Sequence, residues 1–202
     1  VARTPYKVTV FPQAIAMAAT WDTSSLKLMA QYAAEEGRAI HNKSIALNKT
    51  GDRYTGITYW TPNINIFRDP RWGRVVETYG EDPYHVAELC IRMARALQDC
   101  GVTSSPKHFA VYSEPKGGRD GSARTDPHIA PREMEMLHLR PWERIVKEVG
   151  IRGLMNQLVL QQQRGKAANN GPNNGADTSE LGSPTSKSGA KLVILRSEPT
   201  SG

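Results

Sequence analysis

Up to about residue 156 this 202-residue chain alternates between helical and strand-like spacing of its apolar positions; beyond that point the spacing is lost. Residues 13–20, small behind Phe11-Pro12, predict a short helix. Asp22, Thr23 or Ser24 can cap a second helix reaching about Ile40. Its Leu26, Met29, Ala30, Ala33, Ala34 and Gly37 recur at helical spacing and mark one buried face, so Met29 reads as core. His41 falls at the predicted helix end, where a cation suits the dipole. The polar stretch 42–56 reads as a connection.

A strand follows: Ile57, Ile64 and Ile66 are β-branched, and Asn63 and Asn65 alternate with the last two. It breaks into the polar turn 68–74 and a new helix begins where Asp82 caps and Pro83 fills the first position. Val86, Leu89, Cys90, Met93, Ala94 and Leu97 form its buried stripe to about Asp99. Residues 102–109 read as the next strand, ending on Lys107-His108, and residues 112–128 as a long polar loop. Loops of that length inside a domain are usually functional or disordered. A further helix opens at residues 130–133, is interrupted at Pro141, resumes to Val149 and closes on Gly150, with a strand from Ile151. Trp60 and Trp142 read as core. Strands alternating with helices predict an α/β fold with parallel pairing.

From residue 157 the chain turns to Gln, Gly, Asn, Ser, Thr and Pro, with Leu192 to Leu195 as its apolar run. Such a segment buries too little surface to offset its ordering entropy, so 157–202 is expected to be a low-complexity, disordered tail behind a domain of residues 1–156.

Composition narrows the function classes. With 39% hydrophobic and 23% charged residues the chain matches ordinary globular proteins. The net charge of +6 is interspersed, with no Lys/Arg run that would track phosphates, which argues against a nucleic-acid partner. No apolar run reaches membrane-spanning length and no start reads as a signal peptide, so no membrane partner is expected. Cys90 and Cys100 lack metal-ligand spacing and read as buried reduced thiols. His128 and His138 have no convincing ligand set, so neither metal nor other cofactor is expected. A chain that starts at Val1 is expected to be a piece of something longer or a processed product, with its compartment open.

The charged turn Arg68-Asp69-Pro70-Arg71-Trp72-Gly73-Arg74 holds three arginines, an aspartate and a tryptophan. It sits between a strand and a helix, where α/β enzymes collect their chemistry. NINIFRDPRWGR at 63–74, followed by ETYGEDPY at 77–84, closely resembles the signature of glycoside hydrolase family 3, the β-glucosidases and β-xylosidases. TVFPQAIAMAATWD at 9–22 and KHFAVYSEPKGGRDGSARTDPHIAPREM at 107–134 agree with it in order, so the resemblance covers residues 1 to about 155.

The resemblance implies an incomplete (β/α)8 TIM-barrel-like domain and, for the parent family, exo-acting, retaining hydrolysis of β-linked glucosides or xylosides without metal. It implies substrate contacts at Arg74, for which a structural salt bridge to Asp69 or Glu77 is the alternative, at Lys107 with His108 beside it, and at Arg124, for which Arg119 is the rival. Asp69 is expected to order the arginine loop, while Trp72 either stacks on a sugar face or wedges the loop. Glu114, Asp120 and Asp126 are loop carboxylates without a family role. Retaining glycosidases need a nucleophile and an acid/base carboxyl about 5–5.5 Å apart. The family's Ser-Asp nucleophile segment and its acid/base glutamate are not found in these 202 residues, so the catalytic residues stay unassigned. Two readings remain: a β-glycosidase acting on β-linked glucoside or xyloside oligosaccharides, or a truncated, inactive product that binds sugar weakly. A nucleic-acid-binding module rests on the net charge alone.

Overall fold

A computed structural model describes residues 6–52, 54–113, 129–156 and 191–194. Two helices open it: α1 (Ala14–Ala18) and α2 (Thr23–Ala46). Asp22 caps α2 by accepting from the backbone N–H of Ser24 and Ser25 at 2.8 and 3.2 Å, which satisfies two otherwise orphaned donors. The helix runs past the expected stop at Ile40, so His41 lies inside it. There its Nδ1 meets the Thr55 carbonyl at 2.8 Å, a tie between helix and following segment.

The first strand is shorter than its apolar pattern suggests. β1 (Thr58–Tyr59) pairs in parallel with β2 (Thr103–Ser104), and Pro62, lacking an N–H, interrupts the ladder beyond it. Pairing resumes when Ile64 N donates to Lys107 O at 2.8 Å and Lys107 N donates to Pro62 O at 3.0 Å. Trp60, expected in the core, is 45% exposed, because a two-residue strand leaves its outer neighbour uncovered; Trp142 is buried as expected.

α3 (Pro83–Asp99) is the central helix, capped by Asp82, whose carboxylate accepts from His85 N at 2.7 Å. All six stripe residues are buried, and so are Ala87, Ile91 and Ala96, because α2 and α5 flank the helix. α2 also packs closely against β1. A Cβ placed on Gly37 would lie 1.5 Å from the Tyr59 hydroxyl oxygen. On the α5 side Arg144 holds Glu88 at 2.7 Å and Glu148 at 2.7 Å.

The strand expected over 102–109 is two pieces, since Pro106 divides β2 from β3 (Lys107–Phe109). β3 pairs in parallel with β4 (Gly153–Asn156). The intervening helix is continuous rather than interrupted: α4 (Pro131–Glu133) passes through a π-helical turn, Met134–Leu139, into α5 (Arg140–Val149). The wider turn lets Pro141 fall in the first turn of α5, where a missing N–H costs nothing. Gly150 closes α5 at φ 63, a conformation that favours glycine. Strand segments 58–64, 103–109 and 153–156 therefore follow one another in parallel, joined by α3 and by α4–α5, a mixed α/β arrangement.

Of the expected tail, 157–190 and 195–202 lie outside the described residues. Lys191–Ile194, overlapping its apolar run, forms β5 antiparallel to β4, pairing where composition alone predicts none. The pairing covers an otherwise open edge of β4.

Candidate functional site

Three of the four site residues expected from the sequence come together at the ends of the parallel strands. Arg74 lies in the turn after the first strand segment, just before a 3-10 turn, Val75–Glu77, and Lys107 and His108 lie on β3. Arg124, its rival Arg119, and the loop acids Glu114, Asp120 and Asp126 fall within 114–128, outside the described residues.

Glu77 joins the two cations. Arg74 donates from Nε to Glu77 Oε1 at 2.9 Å and from Nη2 to Oε2 at 2.6 Å, a bidentate pair. Lys107 Nζ lies 3.4 Å from the same Oε2. Burial disfavours the charge on all three groups, and their mutual attraction opposes it. Burial pulls against Arg74, but the Glu77 hydrogen bond outweighs it and the guanidinium pKa is raised. For Glu77 burial is likewise outweighed, by Arg74 and Lys107, and the carboxyl pKa is lowered. In Lys107 burial prevails, assisted by the Arg74 charge, and the ammonium pKa is lowered despite Glu77.

His108 is buried, and its Nε2 sits 2.9 Å from Arg74 Nη1. Burial first, then the charges of Arg74 and Lys107, push its pKa down to about 2, so the imidazole is neutral. The Tyr112 ring lies 4.4 Å from the His108 ring and 5.7 Å from the Arg74 guanidinium carbon, covering both. Asn65 braces the opposite side. Its amide nitrogen donates to the carbonyls of His108 and Ala110 at 2.9 and 3.0 Å, and its oxygen accepts from the His108 N–H at 2.9 Å.

The rest of the arginine turn is structural. The Asp69 carboxylate accepts from the Arg71 backbone and side chain, at 2.8 Å and down to 2.6 Å, and these bonds lower its pKa to about 2. Trp72 is 3% exposed and meets Tyr112 edge-on at 6.4 Å, so the indole wedges the loop. Cys90 is buried and Cys100 half-buried, both as free thiols. Beneath the cluster lies a cavity of about 230 Å³, with Glu77, Lys107 and Asn63 at its polar side and Met17, Met29 and Met93 among its apolar lining.

Sequence reasoning placed Glu77 only as a possible partner of Arg74 and gave Asn65 no role. The signal for Asn65 was present: polar residues alternating with isoleucines on an otherwise buried strand must find partners inside. Tyr112 had no such signal.

A parallel strand-helix unit with paired cations, a carboxylate and a neutral histidine at its strand ends defines an α/β protein with a polar cluster where such folds collect their chemistry. The glycosyl hydrolase family 3 N-terminal domain matches residues 1–178, and the chain belongs to that family. The match runs past residue 156, the boundary suggested by composition. The chain is 34% identical over 155 residues to a xylan 1,4-beta-xylosidase of Xylanibacter ruminicola, covering 73% of this chain and 18% of that protein. It is also 34% identical over 157 residues to a beta-xylosidase of Formosa agariphila, covering 73% and 19%. Among solved structures, a β-glucosidase from Erythrobacter marinus matches at 32% identity and TM-score 0.57, over 74% of this chain and 18% of that one. β-Glucosidase 3B from Thermotoga neapolitana in complex with α-D-glucose matches at 27% and 0.57, over 70% and 17%. The chain thus spans less than a fifth of the length of the relatives it matches. Its short parallel strands are consistent with part of the family's N-terminal barrel domain.

Proposed function

We propose that these 202 residues carry the sugar-holding side of a family 3 β-glycosidase site, on a partial (β/α)8 barrel, for β-linked glucosides or xylosides. The observation that carries the reading is the Arg74–Glu77–Lys107 cluster on strand-end loops, in a chain whose relatives are β-xylosidases and β-glucosidases. Arg74 and Lys107 keep N–H donors beyond those spent on Glu77 and His108, and sugar hydroxyls accept such donors well. Glu77 itself accepts from hydroxyls, so the cluster offers both halves of a polyol's hydrogen bonding. His108 stands beside them, and Arg124 is expected to add a further donor from the 114–128 loop.

Hydrolysis needs two carboxyls in addition, a nucleophile and an acid/base, flanking the anomeric carbon. Glu77 does not fill the first role, because its two oxygens are held by Arg74 and Lys107 as a structural anion. On this reading these residues orient the sugar, and the nucleophile is not among them.

The test is hydrolysis of aryl β-xyloside and aryl β-glucoside by the purified 202-residue chain, with host glycosidases excluded. No turnover by a folded chain that still binds sugar is the expected result. Turnover that survives removal of contaminants would show that a carboxylate within these residues attacks the anomeric carbon. Glu114, Asp120 and Asp126 would then be the first to substitute.

A further inference from the structure

The hydrogen-bond geometry around His108 is over-determined. Asn65, 2% exposed, directs its side-chain amide at two carbonyls, those of His108 and Ala110. Carbonyls only accept, so the amide NH2 must face them and the amide oxygen must face the other way. That oxygen lies 2.9 Å from the His108 backbone N–H and 3.0 Å from His108 Nδ1. An amide oxygen only accepts, so Nδ1 must carry the ring proton. From the other side, Arg74 Nη1 reaches Nε2 at 2.9 Å, and a guanidinium only donates, so Nε2 must be bare. Two independent constraints select the same form of the ring.

We propose that Asn65 is a positioning residue: it locks His108 in the Nδ1–H tautomer, so that the Nε2 lone pair faces Arg74 and aims its guanidinium. The Nε2–H tautomer would bring two donors nose to nose at Arg74 and two acceptors together at Asn65. His108 thereby acts through the arginine, and Nε2 is not available to donate to a sugar hydroxyl. Glu77 grips the Nε/Nη2 edge of the same guanidinium, so His108 and Glu77 together fix its plane. That Arg74 faces a sugar rests on the function proposed above; the tautomer and its cause do not.

Long-range 1H–15N NMR of the imidazole rings of the full chain, without sugar and with His108 assigned through His108→Gln, tests the proposal. A protonated-type Nδ1 and a bare-type Nε2 are expected at neutral pH; an Nε2–H ring would overturn the proposal. In Asn65→Ala/Arg74→Ala, with both constraints gone, the Nδ1–H form should give way to a mixture. An unchanged tautomer in that double variant would mean that Asn65 does not set it, which also overturns the proposal. Arg74→Ala alone covers the case in which the double variant does not fold. With the arginine gone, Asn65 alone should keep Nδ1 protonated, and a switch to Nε2–H would sink the idea. Because no sugar is present, a failure of sugar binding elsewhere leaves this outcome untouched, and the reverse holds too.

Discussion

The Arg74 guanidinium and the Glu77 carboxylate meet edge to edge, Nε to Oε1 at 2.9 Å and Nη2 to Oε2 at 2.6 Å, three residues apart in the chain. With Lys107 on the same carboxylate, one acid separates two partly buried cations. Glu77→Gln removes that charge and leaves Arg74 and Lys107 to repel each other. The expected loss is about 1–2 kcal/mol in urea unfolding, the lower part of the range for charged hydrogen bonds because Glu77 is partly solvated. The loss should shrink as salt is added.

Stability should fall in mild acid because of His108. Its folded pKa is about 2, below the ordinary 6.5, so between those values the unfolded chain binds a proton that the folded chain refuses. Stability is then present above 6.5 and drops as pH falls below it, by about 1.4 kcal/mol per pH unit. From pH 7 to pH 5 the loss from this residue is roughly 2 kcal/mol. Chemical denaturation at the two pH values, compared with His108→Gln, isolates the contribution, since the variant should lose most of that slope.

Gly37 tests the contact between α2 and β1. Glycine to alanine inside a helix normally stabilises by about 1 kcal/mol. Here the new methyl would strike the Tyr59 hydroxyl, whose oxygen donates to Ala33 O at 3.3 Å. Gly37→Ala should therefore destabilise, by about 1–3 kcal/mol. Adding Tyr59→Phe removes the struck atom and should recover part of the loss. A double-mutant cycle by thermal melting gives the sign.

Leu97 on α3 is fully buried in the main core. Leu97→Ala should cost about 2–5 kcal/mol, through lost burial and the cavity left behind. Tyr84→Ala, at the exposed start of the same helix, should stay within about 1 kcal/mol, since surface positions rarely cost more. Equal losses at the two sites would mean that α3 does not bury the face described.

The helices were legible because each is governed by local chemistry. Asp82-Pro83 and Gly150 mark ends by capping and backbone preference, and the α3 stripe follows its 3.6-residue period. The strands were less legible. Ile57 to Ile66 and Val102 to Phe109 read as single runs, but Pro62 and Pro106 break each ladder where hydrogen bonds, invisible in an apolar pattern, are lost. Trp60 was misread for the same reason, because its burial depended on strand length. The site divides similarly. Arg74, Lys107 and His108 could be named from a motif, whereas Glu77 and Asn65 gain their roles only when two strand ends and a turn meet. Pro141 suggested a break that the π-helical turn before it absorbs, a tertiary solution with no sequence signal of its own.

Sugar binding at the cluster is the most direct test of the whole account. We would titrate methyl β-xyloside and methyl β-glucoside into the 15N-labelled 202-residue chain and follow amide and side-chain shifts. Saturable shifts centred on Arg74, Lys107 and His108 are predicted. They should weaken at least about tenfold in Arg74→Ala and in Lys107→Ala, the worth of one charged hydrogen bond. Glu143→Gln, which breaks a contact with Lys147 on the exposed side of α5, should leave them unchanged. Binding that persists in both alanine variants, or no shift at the cluster at any sugar concentration, would contradict the account.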